Sequence, residues 1–308
     1  MIQNHQKDGK RVALIGANGM LAHMVRSLAP KVWEISPFDL PDFDLTNRER
    51  VLRVLGEQRP EIILNCAAYT DVDGCETHEE LATQVNGHGP GHLAEAARET
   101  GATLVHISTD YVFDGRKETP YIEDDSPNPL SAYGRSKLRG EEAIIASGLE
   151  SYFIIRTSWL YGPAGKNFVE TIVRLAGERE ELRIIADQVG SPTYTRDLAQ
   201  AIFKLLDLSH SASRVPRAGL YGIYHFSNTG VCSWYEFARE IVEQLRQQGG
   251  AVKVRDIRPI ATEEYPLPAI RPQYSVFSKE KLVRATGLAI PEWRESLAHY
   301  FAGRPAAR

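Results

Sequence analysis

Near its start the chain reads RVALIGANGMLAH, residues 11–23, an apolar run that ends on Gly16, turns through Gly19 and continues as an amphipathic stretch from Met20. A strand that feeds a helix across a tight glycine turn must return as a parallel neighbour, which removes most other folds. The rhythm then repeats through KVWEIS, TNRERVLRVLGEQ, EIILNCAA, HLAEAARET and ATLVHIS, short apolar runs alternating with helical ones. This predicts an α/β fold built on a Rossmann-like, doubly wound parallel sheet. Thr46 and Glu49 have the spacing of a capping box, and Gly101 is placed to close the helix HLAEAARET. After about residue 160, helices such as NFVETIVRLAGE and WYEFAREIVEQL are separated by loops rich in Pro, Ser and Thr. We therefore expect a dinucleotide-binding domain over 1–160 plus about 187–220, and a second, smaller α/β lobe over about 161–186 plus 221–308.

Charge and cysteine usage exclude several functions. With 36 Lys and Arg against 40 Asp and Glu the net charge is −4, so no global field attracts nucleic acid or an anionic membrane. The first ten residues lack the apolar segment of a secretory signal and no apolar run is long enough to span a bilayer, so a cytoplasmic location is expected. Cys66, Cys75 and Cys232 form neither a disulfide framework nor a zinc spacing and read as reduced, buried thiols. His88, His92 and His106 have no ligand spacing and read as ordinary polar residues, so no metal is expected from them.

The glycine turn places backbone N–H groups at a helix N-terminus, where a pyrophosphate binds. Its spacing, Gly16, Gly19 and then Ala22, is G-x-x-G-x-x-A, and Asp39 follows the loop by about 20 residues, where a carboxylate accepts the adenosine ribose hydroxyls. No Arg or Lys follows Asp39 to impose a strict preference for the 2′-phosphate of NADP. The alternatives are a plain strand-to-helix turn and a turn aspartate between Pro37 and Pro41.

The strongest chemistry lies in HISTDYVFDG and SPNPLSAYGRSKLRGEE. Tyr133 and Lys137 are four residues apart, hence on one helix face. An ammonium about 4 Å from a phenol contributes roughly 4 kcal/mol at an effective dielectric of 20, so Lys137 is expected to lower the Tyr133 pKa until desolvation opposes it. Such a tyrosine suits carbonyl reduction: it delivers a proton to the oxygen as hydride reaches the carbon, while Thr109, closing its strand, donates to the same oxygen. A packed tyrosine beside a solvated lysine is the alternative, and the position of the pair behind a glycine loop and a parallel sheet argues against it.

Together with NCAAYTDVDGCE, RTSWLYG, DQVGSPTYTRDLA, YHFSNTG, SWYEFA and RPQYSVFSKEKL, these residues resemble the extended short-chain dehydrogenase/reductases, and within them the dTDP-4-dehydrorhamnose reductase branch, from about Arg11 to about Tyr300. The resemblance implies reduction, by NADPH or NADH, of the C4 ketone of a dTDP-linked 4-keto-6-deoxy sugar to give dTDP-L-rhamnose. It implies catalysis by Thr109, Tyr133 and Lys137. Cofactor contacts are implied for Gly16, Gly19, Met20, Leu21, Asp39, Asp44, Leu45, Ala68, Tyr69 and Thr70, besides Tyr133 and Lys137, with Asn86 nearby. Substrate contacts are implied for Val72, Thr109, Asp110 and Trp159, the last offering a flat apolar face to a ring. Arg271 and Lys166 are candidates for the diphosphate on charge alone. Some members carry magnesium at a dimer contact on an acidic residue after the glycine loop; Met24 stands there, so that metal is not carried over, and a homodimer without metal stays open. Two rival readings remain, the same chemistry on another nucleotide-linked 4-keto sugar, and a non-catalytic subunit like the regulatory subunit of methionine adenosyltransferase.

Overall fold

The computed structural model describes residues 9–210 and 219–304, so the reading of the leading segment falls mostly outside the described residues. The first half alternates as expected: β1 (Arg11–Ile15), α1 (Met20–Leu28), β2 (Glu34–Phe38), α2 (Arg48–Gln58), β3 (Ile62–Asn65), α3 (Val72–Thr77), α4 (Glu79–Ala82), α5 (Gly89–Thr100), β4 (Thr103–Thr109), α6 (Ala132–Ala146) and β5 (Tyr152–Thr157). The capping box does not form. Asp44 Oδ1 accepts both the N–H and the hydroxyl of Thr46, which removes that side chain from capping, and Asn47 caps α2 instead by accepting the Arg50 N–H at 3.0 Å. Gly101 ends α5 in the left-handed conformation with φ 75°, where glycine carries no Cβ penalty.

After β5 come β6 (Leu160–Tyr161), α7 (Phe168–Glu178), β7 (Glu181–Ile185), β8 (Val189–Gly190), β9 (Thr193–Tyr194), α8 (Thr195–His210), β10 (Gly222–Phe226), β11 (Cys232–Ser233), α9 (Trp234–Gln247) and β12 (Asp256–Ile260). One parallel sheet has the order β10-β5-β4-β3-β1-β2. Its inner strands are buried on both faces, which is why they read as unbroken apolar runs. In β1, Val12 and Leu14 enter one core with α1 and α8, while Ala13 and Ile15 enter another with α2 and α5. Pro37, which has no N–H for a second ladder, is tolerated in β2 because β2 is an edge strand.

The sheet corrects the expected boundary near residue 220. Gly222–Phe226 pairs in parallel with β5 and is the sixth strand of the central sheet, so the chain returns to the sheet before it builds the rest of the second lobe. That lobe packs α9 on α7 and on a small parallel pair, β7 with β12. Ser233 and Glu236 form a reciprocal capping box that starts α9. Among the described residues no helix is long and apolar enough to cross a membrane.

Candidate active site

From β1 the chain steps outward to β2 and then back across to β3, so the connections leaving the paired carboxyl ends of β1 and β3 run to opposite faces of the sheet and leave a crevice. A cleft of about 800 Å3 opens there. Its first wall is the glycine turn. Gly16 has φ 75°, its N–H donates to the Phe38 carbonyl at 2.9 Å, and a Cβ on it would come within 2.5 Å of the Ala67 nitrogen. Gly19 is the N-cap of α1 with no side-chain cap bond and no acid in the first turn, so the N–H groups of Met20 and Leu21 head a helix open to an anion. Ala22 is fully buried in the core, as a position devoted to helix-strand packing should be. Gly16→Val is expected to abolish dinucleotide binding, because the left-handed backbone and the Ala67 contact both reject a side chain; calorimetric titration with NADPH checks this.

Asp39 lines the cleft and also braces the turn, with Oδ2 accepting the Asn18 N–H and Oδ1 accepting the Leu40 N–H, both at 2.8 Å. Asp44, Leu45, Ala68, Thr70 and Val72 line the same cleft, as does Lys166. Tyr69 does not: its ring packs with Cys75, Ala82 and Ala132 beside Tyr133. Its backbone is what matters, because Asn86, in a π-helical segment over Thr83–His88, accepts the Tyr69 N–H at 2.8 Å and donates to the Tyr69 carbonyl at 3.0 Å. The same Asn86 amide donates to Ser136 Oγ on α6, tying the loop after β3 to the helix that carries Tyr133.

Tyr133 and Lys137 share the cleft-facing side of α6, whose N-cap Ser131 accepts the Gly134 N–H. Thr109 ends β4; it hydrogen-bonds the Tyr133 phenol and donates to Asp110 Oδ1 at 3.0 Å. The expected tuning by Lys137 is not what the structure has. Burial pushes the Tyr133 phenol up, with the Thr109 contact opposing, because Lys137 Nζ turns to the Ile107 carbonyl at 2.7 Å and to His106 Nε2 at 3.2 Å. Lys137 itself is lowered by burial to about 8. His106, expected to be an ordinary polar residue, is thus a buried partner of the lysine. Single-sequence reading could not find it, because His106 sits inside an apolar strand and its partners Asn65 and Lys137 lie far along the chain.

Asp110 lines the cleft and burial pushes it up to about 6, against hydrogen bonds from Ser275 and Thr109. A raised carboxyl pKa means the folded chain holds this proton more tightly than the unfolded one, so the contribution is present below about pH 4 and is lost as pH rises through about pH 6. Asp110→Asn is expected to remove that loss and to gain up to about 3 kcal/mol of stability at neutral pH. Urea unfolding at about pH 4 and about pH 8 measures it.

Trp159 has φ 48°, an uncommon value for a bulky residue, and its ring is stacked on Trp234 of α9 with centroids 3.6 Å apart at 12°. A Cβ on Gly190 would approach the ring to 2.8 Å, so β8 presses on it as well. Trp234, which the sequence reading missed, therefore covers one face of Trp159 and brings the second lobe to the cleft. Arg271, a diphosphate candidate on charge alone, is paired within the chain. Its two terminal nitrogens each reach an Asp73 oxygen at 2.7 Å, Nη1 also donates to the Ala269 carbonyl, and it lines a separate cavity of about 390 Å3. Met24 is buried in the core, and among the described residues no cluster of three or more His, Cys, Asp or Glu is placed to hold a metal. The thiols are raised by burial, Cys75 to about 11 and Cys66, at the cleft floor, to about 12.

A family model described as RmlD substrate binding domain matches residues 10–304. The chain is 41% identical to the spore coat polysaccharide biosynthesis protein SpsK of Bacillus subtilis, over 96% of this chain and 99% of that one. It is 42% identical to a dTDP-4-dehydrorhamnose reductase of Burkholderia thailandensis, over 92% of this chain and 95% of the relative. Among solved structures, a dTDP-4-dehydrorhamnose reductase of Bacillus anthracis in complex with NADP superposes with a TM-score of 0.87 at 43% identity, covering 96% of this chain and all of that one.

Proposed function

The chain belongs to the RmlD substrate binding domain family, and from that premise we propose that it reduces the C4 ketone of dTDP-4-dehydro-β-L-rhamnose to dTDP-L-rhamnose, using NADPH or NADH. The observation that carries this reading is the convergence of the Tyr133 phenol, the Thr109 hydroxyl and Lys137 on one cleft with the Gly16 turn. The residues fit a dinucleotide: Gly16 and Gly19 line the cleft with bare backbone, Gly16 lets the turn close against Ala67, and α1 meets the cleft with uncapped N–H groups.

A nicotinamide bound there supplies the hydride. Every other requirement falls to the chain. The α1 N-terminus would hold the pyrophosphate and Asp39 would accept from the adenosine ribose, while the loop Ala68–Thr70, fixed by Asn86, bounds the same cleft. Tyr133 keeps its proton at neutral pH, which is the form a reduction consumes, and gives it to the substrate oxygen as charge develops there. Thr109 supports that oxygen, and Lys137, on the same cleft-facing side of α6, would engage the bound cofactor. Trp159, backed by Trp234, presents apolar ring surface to the sugar nucleotide, whose lobe is assigned to the second half of the chain.

The test is direct. Purified protein mixed with NADPH or NADH and the 4-keto-6-deoxy sugar nucleotide is expected to oxidise the cofactor only when both are present, followed at the nicotinamide absorbance. Absence of oxidation with either cofactor overturns the reading and favours a binding role.

A further inference from the structure

Beneath the cleft a line of polar contacts leads to Lys137 through residues with no part in the reaction as described. The Ala67 N–H donates to Asn65 Oδ1 at 3.0 Å, Asn65 Nδ2 lies 2.9 Å from His106 Nδ1, and His106 Nε2 lies 3.2 Å from Lys137 Nζ, which donates onward to the Ile107 carbonyl. Asn65, His106 and Lys137 are all buried. The polarity of this line is set at its backbone end. A peptide N–H only donates, so the Asn65 atom facing it is the carbonyl oxygen, and the atom facing His106 is the amide nitrogen, which also only donates. His106 Nδ1 must therefore accept, and the neutral imidazole carries its proton on Nε2, pointing at the lysine. A second proton on His106 is opposed by its burial. An ammonium has no lone pair to receive the Nε2–H. The neutral amine has one, and keeps an N–H for Ile107.

We propose that His106 is a positioning residue for Lys137, presenting a fixed Nε2–H that selects the neutral amine of the resting lysine, which then takes a proton from solvent when a cofactor in the cleft engages it. The cofactor half of this statement rests on the reductase reading; the pairing of His106 with a proton-poor lysine does not. Of the remaining groups around Lys137, the Glu141 carboxylate and Cys66 favour the ammonium, and burial outweighs them. On α6, Tyr133 is a neutral phenol and the Glu141 charge is matched by Arg156 of β5, while Cys66 at the end of β3 stays a thiol. Burial acts in the same direction as the imidazole N–H. A neutral Lys137 also leaves the phenol of Tyr133 protonated until the ligand arrives.

Lys137 can be titrated without substrate. In protein labelled with 13C at lysine Cε, its resonance is the one lost in Lys137→Met, and it is expected to titrate well below the other lysines. Asn65→Asp reverses the line: the new carboxylate accepts both the Ala67 N–H and a proton on His106 Nδ1, which leaves Nε2 a lone pair facing the lysine. That variant is expected to move the Lys137 titration up by about one to three pH units. Should it fail to fold, unmodified protein supplies a second measurement: NADPH binding in weakly buffered solution near pH 9, read with an indicator dye, is expected to take up close to one proton per chain, and none in Lys137→Met. A Lys137 that titrates with the ordinary lysines, or a titration unmoved by Asn65→Asp, overturns the proposal. A shifted titration in a protein that oxidises no cofactor overturns the reductase reading alone.

Discussion

Tyr133→Phe should bind NADPH as tightly as the parent and lose about 100- to 10,000-fold in turnover. The ring is part of the fold, packed edge-on against Tyr111 with centroids 5.4 Å apart and set beside Cys75 and Ala132, and phenylalanine keeps all of those contacts. What it deletes is one O–H, the proton that the developing alkoxide must receive. Thr109 does not replace it, because an aliphatic hydroxyl can steady the oxygen with a hydrogen bond but is too weak an acid to give up its proton. Steady-state kcat, with Kd for NADPH from its fluorescence, separates the two effects. Turnover within tenfold of the parent would reject Tyr133 as the acid, and a matching loss of NADPH affinity would mark it as a binding residue instead.

The second large effect is on stability. Glu141 of α6 and Arg156 of β5 form a buried pair, with Arg156 Nε and Nη2 reaching the carboxylate and Ser108 Oγ donating to it at 2.5 Å. Glu141→Ala leaves a guanidinium buried without its counter-charge, and is expected to cost about 3–5 kcal/mol. Glu141→Gln retains acceptors for Arg156 and should cost less. Chemical denaturation of the two variants gives the difference; equal losses would mean that the charge contributes nothing beyond the side chain's volume. Because Ser108 precedes Thr109 and Glu141 lies one turn beyond Lys137, the damage is also expected in the rate.

What the sequence made legible follows from range. The β1–Gly16–α1 turn, the paired face of Tyr133 and Lys137, and the buried inner strands each depend on residues within one or two elements, where spacing maps onto geometry. Gly222–Phe226 was placed in the wrong lobe because a strand's sheet partner, here β5 some seventy residues earlier, is a tertiary choice that local pattern does not encode. Thr46 failed as a cap for a shorter-range reason: Asp44, two residues earlier, competes for its hydroxyl and amide. The charged residues misled most. Arg271 looked free for a diphosphate but is matched to Asp73, and Lys137 looked aimed at a phenol but is matched to His106 and a carbonyl. A charge read without its partner has a sign but no address.

Asn86 has a consequence for how such a chain can diversify. One carboxamide joins the loop that bounds the cofactor cleft to the helix that carries the acid, so the register between hydride and proton is set before residue 140. The Trp159–Trp234 stack and the lobe behind it come afterwards and stand outside that carboxamide bridge. Residues there are free to be exchanged for a differently shaped sugar while the reacting atoms stay aligned, which makes recognition the interchangeable part of the molecule and chemistry the inherited one.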